Sequence, residues 1–318
     1  MKHSVPRCGY VALVGKTNSG KSTLLNAIVA RKISATTSRP QTTRSLIYGV
    51  VTQDNRQAIY IDTPGVDKQY SNLNRLMHRQ MLQALGEVQL AIAVIDAHRY
   101  DERDFRFFKS LASYEIPLVV ALNKIDLTAN KNSLLPLAER VQQETKKNGL
   151  ELKNIFPISA SKRQGLGPLK NCIMELLPEA TLAYDDNQVI LNSDRFFACE
   201  FLREQLFRHL GQELPFSLGV ICESMDRKSI LFISLSILIT KESHKAIILG
   251  TRGEKIKRMA SRARKEMEHF FATKIMLSVR VKLDKNWSHN PLKVREVLLD
   301  NNKASPLPIT TDTPIMKT

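Results

Sequence analysis

Long apolar runs are missing from this 318-residue sequence. No uninterrupted stretch approaches the roughly 20 residues that a membrane-spanning helix needs, so a transmembrane protein is not expected. The opening, Met1 to Arg7, has neither an apolar core nor a cleavage pattern, and no secretory leader is expected. Cysteine is scarce. Cys8, Cys172, Cys199 and Cys222 lie far apart without metal-ligand spacing. That excludes a disulfide framework and a zinc module, and it fits reduced thiols in a cytoplasmic protein. There is no internal repeat. Acid is also in short supply, with 31 Asp and Glu against 47 Lys and Arg and a formal net charge of +16. Residues 1–180 carry 25 basic and 15 acidic side chains, and residues 181–318 carry 22 and 16. The excess therefore runs through both halves. It argues for a polyanionic partner: RNA, DNA or an acidic membrane surface. At 43% apolar and 25% charged the composition is that of an ordinary globular protein, and the length favours two domains.

What is present begins with Gly15-Lys16-Thr17-Asn18-Ser19-Gly20-Lys21-Ser22, which fits G-x-x-x-x-G-K-[ST] throughout. The apolar run Tyr10 to Val14 precedes it and a helical pattern from Thr23 follows. The loop thus joins a strand to a helix N-terminus, where unpaired N–H groups and the helix dipole favour an anion. Gly15 and Gly20 allow the backbone to wrap phosphates closely. Lys21 is expected to reach the β- and γ-phosphates, and the Ser22 hydroxyl to bind Mg²⁺.

Residues 8–180 alternate β-rich runs with helical stretches. The runs are Tyr10 to Val14, Arg44 to Val51, Gln57 to Asp62, Leu90 to Asp96, Leu118 to Asn123 and Ile155 to Ile158. Helices are expected near 22–30, 72–86, 101–113, 133–149 and 166–177. This order implies an α/β unit whose mixed, mostly parallel sheet is covered on both faces, with one hairpin turning at Asp54-Asn55. Residues 181–192 are polar and poorly periodic and read as a linker. A second unit spans 193–287. It contains a helix from Asp194 to Leu210, strands Ser217 to Glu223 and Ile230 to Thr240, helices His244 to Leu249 and Glu254 to Phe271, and a strand Lys274 to Leu283. Residues 288–318 read as an extension, disordered after about 300.

Asp62-Thr63-Pro64-Gly65 follows the third strand. There a carboxylate can hold Mg²⁺ through water, and Gly65 can offer its N–H to a γ-phosphate. Alone the pattern is common; some 40 residues after a phosphate loop it is informative. Asn123-Lys124-Ile125-Asp126 ends the fifth strand. One carboxylate, Asp126, can accept both the N1–H and the 2-amino group of guanine, whereas adenine would leave it unpaired. Lys124 can lay its stem over the base, and Asn123 can tie this loop to the phosphate loop. Ser159-Ala160-Ser161 would complete the pocket with backbone N–H groups near guanine O6.

The order of these elements resembles the translation-factor-type GTPases. The resemblance implies that the segment Pro40-Gln41-Thr42-Thr43-Arg44 supplies a threonine sensing Mg²⁺ and the γ-phosphate, with Thr43 first choice and Thr42 second. Arg39 and Arg44 are candidate charges near the phosphates, or solvated loop residues. Val66 stands where Ras-like families place a water-orienting glutamine, so no catalytic side chain is assigned. Asn18, Thr43 and Gly65 are supporting residues only. Related GTPases with asparagine at the Asn18 position use it to help bind K⁺, which implies a K⁺-assisted, slow hydrolysis here.

In the second unit Gly250-Thr251-Arg252-Gly253 joins two helices. Basic residues cluster on the helix that follows, Lys255, Lys257 and Arg258 among them, with Glu254 the one acid between Lys245 and Lys265. A G-x-x-G loop lets a nucleic-acid backbone approach closely, and Ile247, Ile248, Ile256 and Met259 could line a groove for unstacked bases. By itself such a loop is also an ordinary helix–helix turn. The helix–strand–strand–helix–helix–strand order resembles the type II KH module.

Together, the N-K-I-D loop, the P-Q-T-T-R segment, the Leu177-Pro178-Glu179-Ala180 exit and the G-x-x-G module resemble the Era family of bacterial ribosome-assembly GTPases over about residues 5–297. Glu213-Leu214-Pro215 and Lys285-Asn286-Trp287 belong to the resemblance, while Thr17 and Ser19 depart from the commoner Pro-Asn-Val. The resemblance implies GTP/GDP and Mg²⁺ as ligands. It further implies binding to the 3′ end of 16S rRNA in 30S subunit assembly, a monomer, and peripheral association with the inner face of the cell membrane. Rival readings are a GTPase of RNA modification or membrane traffic, and a non-catalytic RNA-binding factor. Intact Lys21, Ser22, Asp62 and Asp126 argue against the latter.

Overall fold

The computed structural model describes residues 5–36, 43–65, 72–128, 131–211 and 214–298. The first unit is built from β1 (Arg7–Val14), α1 (Lys21–Val29), β2 (Ile47–Gln53), β3 (Arg56–Asp62), α2 (Asn72–Leu85), β4 (Leu90–Asp96), α3 (Arg106–Ala112), β5 (Leu118–Asn123), α4 (Leu134–Lys147), β6 (Leu152–Pro157) and α5 (Leu166–Leu176). Its sheet has the order β2-β3-β1-β4-β5-β6. Only β2 runs antiparallel to its neighbour; the other pairs are parallel. The hairpin joining β2 to β3 turns on Asp54 and Asn55, both at positive φ (49° and 62°), as a two-residue turn matched to strand twist requires.

The central strands are buried on both faces, which is why they read as continuous apolar runs. On one face Leu13, Ile92 and Ala121 pack with Leu24, Leu25 and Ile28 of α1 and Leu169 and Ile173 of α5. On the other, Ile61, Ile95 and Val120 pack with Met81 of α2, Phe108 of α3 and Val141 of α4. Both helix layers hold the loops at the C-terminal ends of β1, β3, β5 and β6, where ligands of open α/β sheets bind.

The second unit contains α6 (Asp194–His209), β7 (Gly219–Arg227), β8 (Leu231–Ile239), α7 (Glu242–Leu249), α8 (Glu254–Phe271), β9 (Ile275–Leu283) and α9 (Pro291–Leu298). Its sheet has the order β7-β8-β9, antiparallel then parallel. Ser193 caps α6 by accepting from the Phe196 N–H.

Several details differ from expectation. β2 begins at Ile47 rather than Arg44, because Arg44 and Ser45 turn their side chains into the second unit. β7 runs on to Arg227 past a register shift between Cys222 and Ser224; its outer half is polar, which hid it. Residues read as a linker lie along β2: Val189 O accepts from the Val50 N–H, and the Asn192 side chain bonds the Tyr48 N–H and Leu46 O. They cover an otherwise open sheet edge. α9 lies in the C-terminal extension, with Val294 and Leu298 buried against Trp287 and Met77. The tail after 298 and Glu213 fall outside the described residues. The two units are not merely tethered. The α1/α5 core continues into Phe197, Phe201 and Leu202 of α6 as one apolar cluster.

Candidate functional site

The phosphate loop leaves β1 through Gly15 and enters α1 at Lys21. Lys21 is buried, and its Nζ donates to Gly15 O and Lys16 O at 3.0 and 2.9 Å, curling the loop around the ammonium. Gly20, at φ 102°, is required by a close approach. A Cβ there would meet Asn123 Nδ2 at 2.2 Å. That amide donates to Ser19 O at 2.9 Å, while Asn123 Oδ1 accepts from the Ala160 N–H at 3.0 Å. One buried side chain thus ties the phosphate loop, the N-K-I-D loop and the S-A-S loop together.

Thr43, Ser22 and Asp62 converge from three separate segments. Ser22 Oγ donates to Asp62 Oδ2 at 2.6 Å and lies 2.9 Å from Thr43 Oγ1, which is 3.5 Å from the same carboxylate oxygen. Asp62 is fully buried, and burial raises its pKa against the opposing pull of Lys21 and three hydroxyls. The third hydroxyl is Ser34, which donates to Oδ2 at 2.8 Å. Asp62 Oδ1 is buried and has no hydrogen-bond partner among the described residues. Two hydroxyls and one carboxylate with an orphaned oxygen form an all-oxygen set of the kind a hard divalent cation takes. Ser34 had no sequence signal of its own. Asn26 of α1 holds it there, bonding the Ile33 and Ser34 N–H groups and Ser34 O at 2.8 Å each.

On the base side, Ser159 Oγ donates to Asp126 Oδ1 at 2.6 Å and Ser161 Oγ lies 3.4 Å from Oδ2. The two serines therefore aim the carboxylate through their hydroxyls, where backbone N–H groups alone were expected. Lys124 stands at φ 68° with its Nζ on Asn18 O at 2.7 Å and Asp96 Oδ2 at 2.6 Å. Its stem bridges from the base loop to the phosphate loop. Asp96, the last residue of β4, is a further site residue that no motif marked.

Some expected residues point elsewhere. The Lys16 ammonium pairs with Asp101 and Asp104 at 3.0 and 3.3 Å, so only its backbone serves the loop. Thr63 Oγ1 donates to Leu13 O at 2.7 Å and pins the D-T-P-G turn to β1. Gly65 packs onto Thr17, whose Cα a Cβ would meet at 2.8 Å. Arg44 does not approach the phosphates at all. It is 2% exposed and bonded to carbonyls of the second unit. Burial, with Arg203 adding, pulls its pKa down to about 9, so it remains a cation at neutral pH. Arg39, Thr42 and Val66 lie outside the described residues.

In the second unit, Gly250 and Gly253 (φ 69° and 77°) flank an exposed Thr251 and Arg252 at the start of α8. Arg252, Lys257 and Arg258 are exposed, and Lys255 is half-buried. None of the four forms an ion pair with a carboxylate among the described residues. The expected apolar groove is narrower than the sequence implied. Ile248 and Met259 are core residues, leaving Ile247, 49% exposed, and half-buried Ile256 at the surface.

A family model described as a 50S ribosome-binding GTPase matches residues 10–124, and a KH-domain model matches residues 213–288. With the geometry above, they define the class: a phosphate-loop GTPase domain joined to a KH domain. GTPase Era of Ectopseudomonas mendocina is 39% identical over 299 residues, covering 92% of this chain and 97% of that protein. GTPase Era of Coxiella burnetii is 38% identical, covering 91% and 97%. An Aquifex aeolicus Era variant bound to GDP·AlF4⁻ superposes with a TM-score of 0.86 at 30% identity over 92% of this chain and 98% of that one. A structure of Era in complex with MgGDPNP and nucleotides 1506–1542 of 16S ribosomal RNA matches to the same extent. The chain belongs to the Era family of GTPases. No described helix is long and apolar enough to cross a membrane.

Proposed function

We propose that this protein is a GTP-binding and GTP-hydrolysing switch that binds 16S rRNA near its 3′ end in assembly of the 30S subunit. The observation that carries the reading is the convergence of the Ser22 and Thr43 hydroxyls on Asp62 Oδ2, which leaves the buried Oδ1 of the same carboxylate without a partner among the described residues. The same chain presents the cations of its G-x-x-G module without carboxylate partners. The loop from Gly15 to Ser22 receives the phosphates, with Lys21 neutralising the β- and γ-groups. Asp126, aimed by Ser159 and Ser161, accepts guanine N1–H and the 2-amino group, and the Lys124 stem covers the ring.

Mg²⁺ fits the oxygen set of Ser22, Thr43 and Asp62, and when bound it neutralises charge on the β- and γ-phosphates. Asn18, within the loop, supports K⁺ as a second cation at the transition state. Equal turnover in K⁺ and Na⁺ buffers would remove it. Arg252, Lys255, Lys257 and Arg258 contact the RNA backbone beside Gly250, Thr251 and Gly253. The +16 charge also supports peripheral association with an anionic membrane face, which co-sedimentation with anionic vesicles tests.

The test of the main reading is paired. GTP hydrolysis is followed in wild type and Lys21→Ala, and a labelled oligonucleotide of the 16S 3′ end is titrated in the GDP and GTP-analogue states. Hydrolysis abolished in Lys21→Ala and RNA binding that depends on Arg252 are expected. A wild-type protein without GTP turnover, or one that ignores the oligonucleotide, refutes the reading.

A further inference from the structure

Arg44 follows Thr43 directly, yet the two side chains leave the backbone in opposite directions. Thr43 Oγ1 reaches Ser22 and Asp62 at the metal site. The Arg44 guanidinium enters the second unit, where Nη1 donates to Leu218 O at 2.7 Å and Nη2 to Pro215 O at 2.8 Å. It lies over the Phe207 ring at 5.2 Å, beside the buried Arg203–Glu200 pair. The neighbouring backbone is fixed to the same unit. Ser45 Oγ donates to Leu298 O, and on the earlier flank Arg208 Nη2 donates to Thr36 O at 3.1 Å.

A guanidinium buried this deeply is held hard. Each charge-assisted bond contributes more than a neutral one, and withdrawal would leave two buried carbonyls without their donor. Adjacent Cα atoms are a rigid ~3.8 Å apart across a planar peptide. Thr43 therefore cannot shift at the metal site without disturbing Arg44, and Arg44 cannot leave the Pro215–Leu218 turn without disturbing Thr43.

We infer that Arg44 is a positioning residue for GTP hydrolysis: anchored on the Pro215 and Leu218 carbonyls, it holds the Thr43 hydroxyl at the Ser22–Asp62 site. The inference rests on the GTPase reading above and adds to it that the RNA-binding unit is structurally part of the GTP site. Because the coupling is a free energy, it acts both ways. Docking of the second unit at Arg44 favours the Thr43-in arrangement, and whatever stabilises Thr43-in favours docking.

The experiment uses the full chain. Arg44→Met keeps the stem and removes both donors; Arg44→Lys restores the charge with a single-point donor; Phe207→Leu removes only the ring beneath. Single-turnover GTP hydrolysis is measured against Mg²⁺ concentration, with GDP affinity as a reference that makes no use of Thr43. Arg44→Met is expected to lose at least about tenfold in rate and to need more Mg²⁺, since an ångström of misplacement suffices for that. GDP affinity should stay within about twofold, and Arg44→Lys should fall between wild type and Arg44→Met. An unchanged rate and Mg²⁺ midpoint in folded Arg44→Met overturns the inference, as does an equal loss of GDP and GTP affinity. Should Arg44→Met not fold, Arg44→Lys, which keeps the charge and loses the two-point grip on the Pro215 and Leu218 carbonyls, decides by the same two readouts. A wild-type chain that fails to hydrolyse GTP sinks the GTPase reading itself; an active wild type with indifferent variants sinks only the role of Arg44.

Discussion

Asn123→Ala isolates the tie between the three loops of the nucleotide site. The asparagine is buried, donates to Ser19 O and accepts from the Ala160 N–H. Alanine removes both bonds and leaves one buried carbonyl and one buried N–H without partners. Each such orphan costs about 1–3 kcal/mol, so the two together bound the effect at roughly 2–6 kcal/mol. That cost divides between folding and binding. The empty protein can relax by letting the phosphate loop and the S-A-S loop drift apart, and a nucleotide must then reassemble them. If half the cost is deferred to binding, about 1–3 kcal/mol, nucleotide affinity falls roughly 5- to 150-fold. The tie acts on the phosphate loop and the base loop and is remote from Thr43, so GDP and GTP should weaken together. Fluorescent-nucleotide titration, paired with thermal melting, measures both shares. Asn123→Asp should be no milder, because it keeps the acceptor for Ala160 but turns an oxygen on Ser19 O. A lower melting temperature with unchanged affinity, or a loss confined to GTP, would refute the reasoning.

Gly65→Ala should lower GTP turnover while sparing GDP affinity, because its Cβ would sit 2.4 Å from Thr17 Cγ2 and 2.8 Å from Thr17 Cα and push the D-T-P-G turn off the phosphate loop; steady-state kinetics beside GDP titration checks this. Trp287, the one tryptophan, is fully buried with Met77 of α2, Leu238, Val294 and Leu298. Trp287→Ala should cost about 3–5 kcal/mol in denaturant unfolding, and wild-type emission should be blue-shifted and poorly quenched by acrylamide. Arg252→Ala with Lys257→Ala should weaken RNA binding and flatten its salt dependence by about two in log–log slope, with GTP hydrolysis kept; an unchanged slope would remove both residues from the phosphate contacts.

What could be read from the chain was what local spacing encodes. The phosphate loop, D-T-P-G and N-K-I-D each lie within a few residues at the end of one strand, so the fold brings them together once strand order is right. Buried parallel strands announced that order as apolar runs. The largely exposed strand end at Ser224–Arg227 carried no such signal. Ser34 and Asp96 were missed for a related reason. Each is a single polar residue whose role comes from a partner far along the chain: Ser34 from Asp62, and Asp96 from Lys124. The partners of the Lys16 ammonium, Asp101 and Asp104, likewise lie far outside the motif.

The junction between the units was the least legible part, and its chemistry explains why. It is made by charged residues whose partners no periodicity identifies. Lys32 pairs with Glu204 at 2.8 Å and with Glu266, Arg31 donates to Phe270 O at the end of α8, and Arg44 donates to two carbonyls. An isolated arginine in a switch segment reads as a phosphate ligand or a solvated side chain, because burying a guanidinium is costly and therefore rarely expected. That cost makes the observed placement informative. Taking Arg44 off the buried Pro215 and Leu218 carbonyls leaves both acceptors without their donor, which costs more than the made bonds contribute net. Such a contact therefore discriminates between two docked arrangements more sharply than it stabilises either one. Arg31 and Lys32 follow α1, whose first turn follows the phosphate-loop motif, and they grip α8, whose start adjoins the G-x-x-G loop. Each helix offers one functional end to a ligand and its other end to the junction. A rearrangement at either ligand thus meets the same few charged contacts.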